Sequence, residues 1–148
     1  MIEKIELTNM CMICDENMKV VVEHRIKSWC GWAFPGGHVE PHEGIVDSVI
    51  REIKEETNLD ISDLKLVGIK QWEREDVRHI VFLYKTNKYS GVLKSSDEGE
   101  VKWVPLKELF DMELSHTFKE MIDLMTDDEK SELILRRDSN NELYMVFK

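Results

Sequence analysis

The segment that decides the fold is GHVEPHEGIVDSVIREIKEETNL, which occupies residues 37–59. Its second part, residues 44–57, predicts an amphipathic helix, because the apolar residues recur at spacings of one, three and four. These residues form a single stripe: Ile45, Val46, Val49, Ile50 and Ile53. A helix with one such stripe packs that side against a core and leaves its other sides for solvent or for a site.

Three glutamates lie beside this stripe. Glu52, Glu55 and Glu56 stand at positions i, i+3 and i+4 of the helix, so their side chains share one patch. Most glutamate-rich helix faces are simply solvated, and the spacing alone leaves that interpretation open. Two carboxylates roughly 5 Å apart, however, repel by about 3 kcal/mol at an effective dielectric constant of about 20. A hard divalent cation with oxygen ligands would relieve this repulsion and would suit phosphate chemistry.

Outward from this helix, alternating and β-branched patterns predict strands. The predicted strands are 4–14, 18–25, 64–72, 79–85 and 100–104. A helix is expected to start at Pro105, another to cover 114–125, and a terminal β-hairpin to cover 131–148. A loop, residues 28–43, precedes the first helix and turns at its adjacent glycines. Strands mixed with two or three helices predict an α/β domain with helices packed on a mixed sheet.

The bulk properties restrict the class of protein. The 148 residues contain no repeat, low-complexity tract or Pro/Gly/Ser linker, which indicates one domain over residues 1–148. No run of about eighteen apolar residues is present, and the first ten residues lack the apolar run of a signal peptide. We therefore expect a cytoplasmic protein with no membrane partner. The formal net charge of −10 disfavours binding of duplex nucleic acid, which requires clustered Lys and Arg.

The three cysteines are interpreted as ordinary thiols. An odd number argues against a disulfide framework. Cys11 and Cys14 form a C-x-x-C pattern, but they lie in a predicted strand, where positions three apart face opposite sides of the sheet. No second pair completes a zinc site.

Residues 37–59 resemble the signature of Nudix hydrolases, G-x5-E-x7-R-E-U-x-E-E-x-G-U, where U is aliphatic. The matching positions are Gly37, Glu43, Arg51, Glu52, Ile53, Glu55, Glu56 and Leu59. The flanking segments WAFPGGHVE and EGEVKWVPLKEL also resemble this family, so the likeness covers roughly residues 1–125. It implies a Nudix-type α/β/α sandwich with a mixed β-sheet and a loop–helix–loop catalytic motif at residues 37–59.

Asn58 is the one departure from the signature, which has glycine there. That glycine ends the helix in a left-handed conformation, and asparagine is the next best residue for it. We expect a normal helix end at a cost of about 1 kcal/mol or less.

The resemblance also implies the catalytic roles. Glu52, Glu55 and Glu56 would bind Mg²⁺, or Mn²⁺ in its place, together with the backbone carbonyl of Gly37. Arg51 would orient the glutamates through its rigid fork of donors. Glu43 would pair with Arg51 or assist a metal-bound water. A later acidic residue often completes such sites or serves as base; Glu98 and Glu100 are the candidates, and Glu100 is preferred.

Contacts to the substrate are predicted at four further positions. Arg25 resembles an arginine that related triphosphate hydrolases place on a phosphate, although an exposed arginine without a role is an equal alternative. Gly36 belongs to a backbone that turns sharply or approaches something closely. A base could stack on Phe34, Trp32 or Trp72, each of which could instead be a core aromatic. His116, beside Ser115, could contact the base. His38 and His42 are interpreted as loop surface.

The resemblance implies a Mg²⁺-dependent pyrophosphohydrolase that converts a nucleoside triphosphate, with 8-oxo-dGTP as one candidate, to the monophosphate and pyrophosphate. Two alternatives remain open. One is a Nudix hydrolase of another nucleoside diphosphate derivative, such as a nucleotide sugar or a capped RNA end. The other is a non-catalytic module that senses a nucleotide. The expected partner is a small nucleotide, and the expected state is a monomer or a homodimer.

Overall fold

The computed structural model describes residues 1–148 as ten strands, two α-helices and one 3-10 helix. The strands are β1 (Lys4–Ile13), β2 (Lys19–Arg25), β3 (Gly31–Ala33), β4 (Asp60–Ser62), β5 (Lys65–Arg74), β6 (Val77–Thr86), β7 (Lys88–Ser90), β8 (Val101–Pro105), β9 (Glu132–Arg137) and β10 (Leu143–Phe147). The helices are α1 (Ile45–Thr57), the 3-10 helix (Leu106–Asp111) and α2 (Phe118–Met125). Neither α-helix has the length and apolarity that a bilayer-spanning helix requires.

The largest sheet is mixed and has five strands in the order β1-β6-β5-β9-β10. β1 runs parallel to β6 and β5 runs parallel to β9, whereas β5 is antiparallel to β6. β9 and β10 form an antiparallel hairpin. Two smaller sheets, β3-β2-β8 and β4-β7, complete the fold.

The helices lie on opposite faces of the large sheet. Met10 and Met12 in β1, and Cys14 directly after it, belong to one hydrophobic cluster, which also contains the buried face of α2. Cys11 and Ile13 belong to a second cluster, which contains the buried face of α1. Because successive residues of a strand point to opposite faces, β1 separates two cores. This arrangement confirms the predicted α/β/α sandwich and the mixed sheet, and it places the two thiols of the C-x-x-C pattern on opposite faces.

Helix α1 begins one residue later than predicted and ends where predicted. Asn58 follows its last residue with φ 66°, in the left-handed region, and its N–H donates to the Lys54 carbonyl. The asparagine therefore serves as the helix end, as expected.

The loop that precedes α1 covers the free edge of β1. The N–H of Cys11 donates to the Pro35 carbonyl (3.0 Å), and that of Asn9 donates to the Gly37 carbonyl (2.8 Å). Farther along, the N–H of Val39 donates to the Leu7 carbonyl (3.0 Å). These bonds fix the start of the motif against the large sheet.

The chain after helix α1 differs from prediction in three places. The helix expected over 114–125 begins only at Phe118, because the preceding segment pairs with β3: the Trp32 N–H donates to Glu113, and the Ser115 N–H donates to Trp32. The helix expected from Pro105 is a 3-10 helix that begins at Leu106. The short strands β4 and β7 were not predicted.

Candidate active site

A cavity of about 690 Å³ lies where the motif loop meets the large sheet. Two rows of side chains, each running across three adjacent strands, form its floor. One row is Glu6, His79 and Trp72, and the other is Thr8, Val81 and Lys70. Each row crosses β1, β6 and β5 in register, so alternate residues of three strands face the cavity together.

Helix α1 supplies an acidic wall. Glu52, Glu55 and Glu56 all line the cavity, together with Gly36 and Gly37. The Gly36 N–H donates to Glu56 Oε2 at 2.9 Å. A Cβ at Gly37 would lie 2.6 Å from Glu52 Oε1, so only glycine leaves room for that carboxylate.

Arg51 holds the carboxylates of the motif. Its Nε and Nη2 donate to the two oxygens of Glu43 at 2.7 and 2.9 Å, a bidentate pair. Its Nη1 donates to Glu52 Oε1 at 3.0 Å and lies 3.3 Å from Glu55 Oε2. The hydrogen bonds from Arg51, followed by one from the Glu40 N–H, lower the pKa of Glu43 to about 2. Glu43 does not line the cavity, which is consistent with a part in orienting Arg51.

Sequence reasoning missed a fourth carboxylate, Glu23 in β2. Its side chain is buried, with 4% of the residue exposed, and it lines the cavity beside Glu56. Burial raises the pKa of both groups, and the neighbouring Glu23 charge raises that of Glu56 further, so the pair holds a proton. The available signal was a glutamate directly after three valines, at a strand position where an apolar residue is usual.

The donor set of this wall fits a hard divalent cation. All donors are oxygens, and burial raises the pKa of Glu52, Glu23 and Glu56 because it penalises their charged forms, a cost that a bound divalent cation would offset. In the present arrangement no three of the acidic or imidazole side chains converge to hold an ion. Arg51 engages Glu52, and the Gly36 amide engages Glu56.

The later acidic residue in the cavity is Glu98, not Glu100. Glu98 lines the cavity, whereas Glu100 is exposed outside it and accepts the His24 N–H through its backbone carbonyl. Gly99 between them has φ 151°, and a Cβ there would overlap the His24 carbonyl. The preference for Glu100 is therefore not supported, because this turn directs the preceding glutamate inward.

The predicted aromatic contacts fall in different places. Phe34 is 1% exposed and packs edge-on against Phe118 (4.7 Å between ring centroids), so it belongs to the core and does not line the cavity. Trp32 stacks on His24 outside the cavity. Trp72 does line the cavity, and Arg25 and His116 also line it, as does Gly36.

The lining of the same cavity also contains a buried cation and two indoles. Lys70 is 4% exposed, and its Nζ donates to Thr117 Oγ1 at 2.6 Å. The same Nζ lies 4.8 Å from the Trp72 ring centroid and 5.6 Å from that of Trp29. Burial lowers the pKa of Lys70 to about 8. Neither Lys70 nor Trp29 was predicted, because one lies within a strand pattern and the other within a loop.

Comparison with known proteins agrees with this geometry. The family model described as NUDIX domain matches residues 6–125. The Nudix hydrolase YvcI of Bacillus subtilis is 29% identical over 121 residues, which cover 78% of this chain and 75% of that protein. Human 8-oxo-dGDP phosphatase NUDT18 is 26% identical over 122 residues, which cover 78% of this chain but only 37% of that protein. The crystal structure of the mutator MutT protein from Bacillus halodurans superposes with a TM-score of 0.79, covering 97% of both chains at 22% identity.

The chain therefore belongs to the NUDIX domain family. It is a Nudix hydrolase with the fold of MutT proteins, an enzyme class that acts on phosphoanhydride bonds.

Proposed function

We propose that this protein hydrolyses a nucleoside triphosphate to the monophosphate and pyrophosphate in a Mg²⁺-dependent reaction, and that 8-oxo-dGTP is a candidate substrate. The observation that carries the proposal is one cavity whose lining combines the carboxylates of the acidic wall with the indole rings of Trp29 and Trp72. Its volume of about 690 Å³ suits a small-molecule ligand. The name of the human relative, an 8-oxo-dGDP phosphatase, supports an oxidised purine nucleotide.

The acidic wall would hold the cation. Glu52, Glu55 and Glu56 supply carboxylate oxygens, and the Gly37 carbonyl, which accepts one hydrogen bond from Asn9, has a second lone pair free. A divalent cation bound there supplies positive charge to the polyphosphate and activates the attacking water.

The chain's own residues would orient the reacting groups. Arg51, held by Glu43, fixes the Glu52 carboxylate at the wall. Arg25 lines the cavity and offers a guanidinium to a phosphate, because only its Nε is engaged, by the Ser28 carbonyl. Glu98, which lines the cavity, would accept the proton of the attacking water. No serine or cysteine nucleophile is required.

Replacing Glu56 with Gln tests the acidic wall. Glutamine keeps an acceptor for the Gly36 N–H and gains a donor toward Glu23, so the fold should persist. Mutation of a group that only supports a metal ligand typically lowers activity by about 10- to 100-fold. Because Glu56 would be a ligand itself, we expect kcat to fall by at least about 100-fold. The measurement is pyrophosphate release from a panel of nucleoside triphosphates, including 8-oxo-dGTP, with Mg²⁺ present.

The matched control is Asp47→Asn, which removes one negative charge from the exposed side of the same helix and should leave kcat unchanged. EDTA should abolish pyrophosphate release in the unmodified protein, and Mg²⁺ or Mn²⁺ should restore it. Full activity in Glu56→Gln, or activity that persists in EDTA, would refute the proposed metal site. Tight nucleotide binding with no pyrophosphate release would instead identify a nucleotide sensor.

A further inference from the structure

Lys70 is the one buried cationic side chain of the molecule, and it forms no direct ion pair, although the more distant Glu120 charge acts on it. An ammonium group has three N–H donors, and Lys70 uses one of them on Thr117 Oγ1. A buried charge without a counter-ion is costly, and the two indoles beside it offset part of that cost. The remaining donors face the cavity, where a ligand acceptor would complete them.

An indole surface for a base lies next to this ammonium. Trp72 is already stacked on His79, with centroids 4.9 Å apart and planes 7° from parallel. Trp29 is 43% exposed and nearly parallel to His116, with an interplanar angle of 16°. A base that stacks on the exposed Trp29 ring would lie next to the Lys70 ammonium, whose Nζ is 5.6 Å from the centroid of that ring.

Trp29 and Thr117, the hydrogen-bond acceptor of Lys70, both have unusual backbone conformations. Trp29 has φ 52° and Thr117 has φ 64°, although neither is glycine. A β-branched residue in the left-handed region is strained, and such strain is retained where the surrounding structure fixes a ligand site. The Trp29 carbonyl accepts a hydrogen bond from Ser115 Oγ at 2.7 Å. This bond connects the loop that carries Trp29 to the segment that carries Thr117.

Arg25 fixes which end of a nucleotide reaches Lys70. Arg25 lies two residues after Glu23 in β2, on the same side of the strand. Arg25, Glu23 and Lys70 line the same cavity. A polyphosphate held at the wall and by Arg25 would extend its nucleoside toward Lys70 and Trp29.

We propose that Lys70 selects bases that carry a carbonyl oxygen at the position of guanine O6 over bases that carry an amino group there. An ammonium donates hydrogen bonds only, so it pairs with guanine O6 and N7, whereas the adenine N6 amino group presents a donor to it. Guanine, hypoxanthine and 8-oxoguanine share the required oxygen. The inference rests on the proposed function, since it takes the ligand of this cavity to be a nucleotide.

Inosine triphosphate and ATP form the test pair, because they differ only in the purine 6-substituent and in the N1 hydrogen that accompanies the 6-oxo group. In the unmodified protein we expect kcat/KM for inosine triphosphate to exceed that for ATP by about 10- to 100-fold. Lys70→Met keeps most of the length of the side chain and removes the donors, so this ratio should fall to within about threefold of one. The ratio should fall because kcat/KM for inosine triphosphate decreases.

Lys102→Met is the matched control, because Lys102 lies 4.5 Å from the Trp32 ring centroid, outside the cavity. The Lys102→Met variant should have the same ratio of kcat/KM for inosine triphosphate to kcat/KM for ATP as the unmodified protein. A second variant, Thr117→Ala, removes only the acceptor that positions Lys70 and should lower the ratio partially. Thermal melts by circular dichroism report whether each variant folds.

A binding measurement separates this inference from the proposed function. Quenching of tryptophan fluorescence gives the Kd of inosine monophosphate and AMP without metal or turnover. If no triphosphate is hydrolysed but inosine monophosphate binds more tightly than AMP, and Lys70→Met removes the difference, the proposed function fails and the selectivity stands. If triphosphates are hydrolysed without a preference for the 6-oxo base, or if Lys70→Met keeps that preference, the selectivity is refuted.

Discussion

Asn9 is a single residue on which both halves of the motif depend. It is 3% exposed in β1, its side-chain carbonyl accepts the Gly37 N–H at 3.2 Å, and its amide donates to Ser48 Oγ at 2.9 Å. One side chain thus joins the sheet, the motif loop and helix α1.

Asn9→Ala should lower the free energy of unfolding by about 1–3 kcal/mol, because buried partners lose their hydrogen bonds. Urea denaturation measures the change. Asn87→Ala, at an exposed position between β6 and β7, should change it by no more than about 0.5 kcal/mol. Equal effects of the two substitutions would contradict the linking role of Asn9.

The spacing of residues, taken without the family resemblance, indicated site residues only where they are local to one another. Glu52, Glu55 and Glu56 are neighbours on one helix, so their spacing predicts a shared patch, and the cavity does contain all three. Glu23 and Lys70 come from strands distant in sequence. Alternation along a strand assigns each a face, but it does not say which other strands border that face.

At the scale of the element, helix α1 depends on how it ends. Asn58 adopts φ 66°, and its side chain donates to the Val92 carbonyl at 3.0 Å. The residue therefore combines a left-handed helix end with a link to the segment after β7.

Asn58→Ala should destabilise the fold by about 1–2 kcal/mol, because alanine has no side-chain group to offset the left-handed conformation. Asn58→Gly should stay within about 1 kcal/mol of the unmodified protein, since easier backbone geometry offsets the lost hydrogen bond. Thermal unfolding of both variants checks the pair. An alanine variant as stable as the glycine variant would show that the backbone conformation carries no cost.

Elements stabilised by their own pattern were predicted, and elements set by distant partners were not. The stripe of α1 lies within fourteen residues, so its bounds were accurate to one residue. The start of α2 was predicted four residues too early, because Glu113 and Ser115 pair with Trp32, some eighty residues away. No local pattern carries that information.

At the scale of the whole molecule, charge links folding to cation binding. The chain has a formal net charge of −10, and three carboxylates that are buried or partly buried, those of Glu23, Glu52 and Glu56, have raised pKa values. A divalent cation that binds the folded state alone stabilises it by mass action.

Mg²⁺ at about 100 times its Kd should raise Tm by roughly 5–10 °C, from about 2.7 kcal/mol of added stability. Glu56→Gln should lose most of this shift and keep its Tm without metal. The measurement is a thermal melt with and without Mg²⁺, with NaCl at equal ionic strength as the control. A shift that NaCl reproduces would indicate screening of surface charge.

The order of the layers followed from the strand and helix patterns, whereas the strand order did not. A single domain with mixed strands and few helices has few ways to bury its apolar faces, and the sandwich is one of them. The placement of β1 at the edge of the large sheet depends on pairings between the two halves of the chain.

The segment Pro35–Val39 supplies backbone partners to β1, a strand whose last residues are a run of apolar side chains. Without that cover, the strand would offer unpaired amides and carbonyls to another copy of itself, which is how polypeptides begin to aggregate. A substitution that detaches this segment from β1 should therefore first cause the expressed protein to accumulate in the insoluble fraction of the cell lysate, before turnover can be assayed.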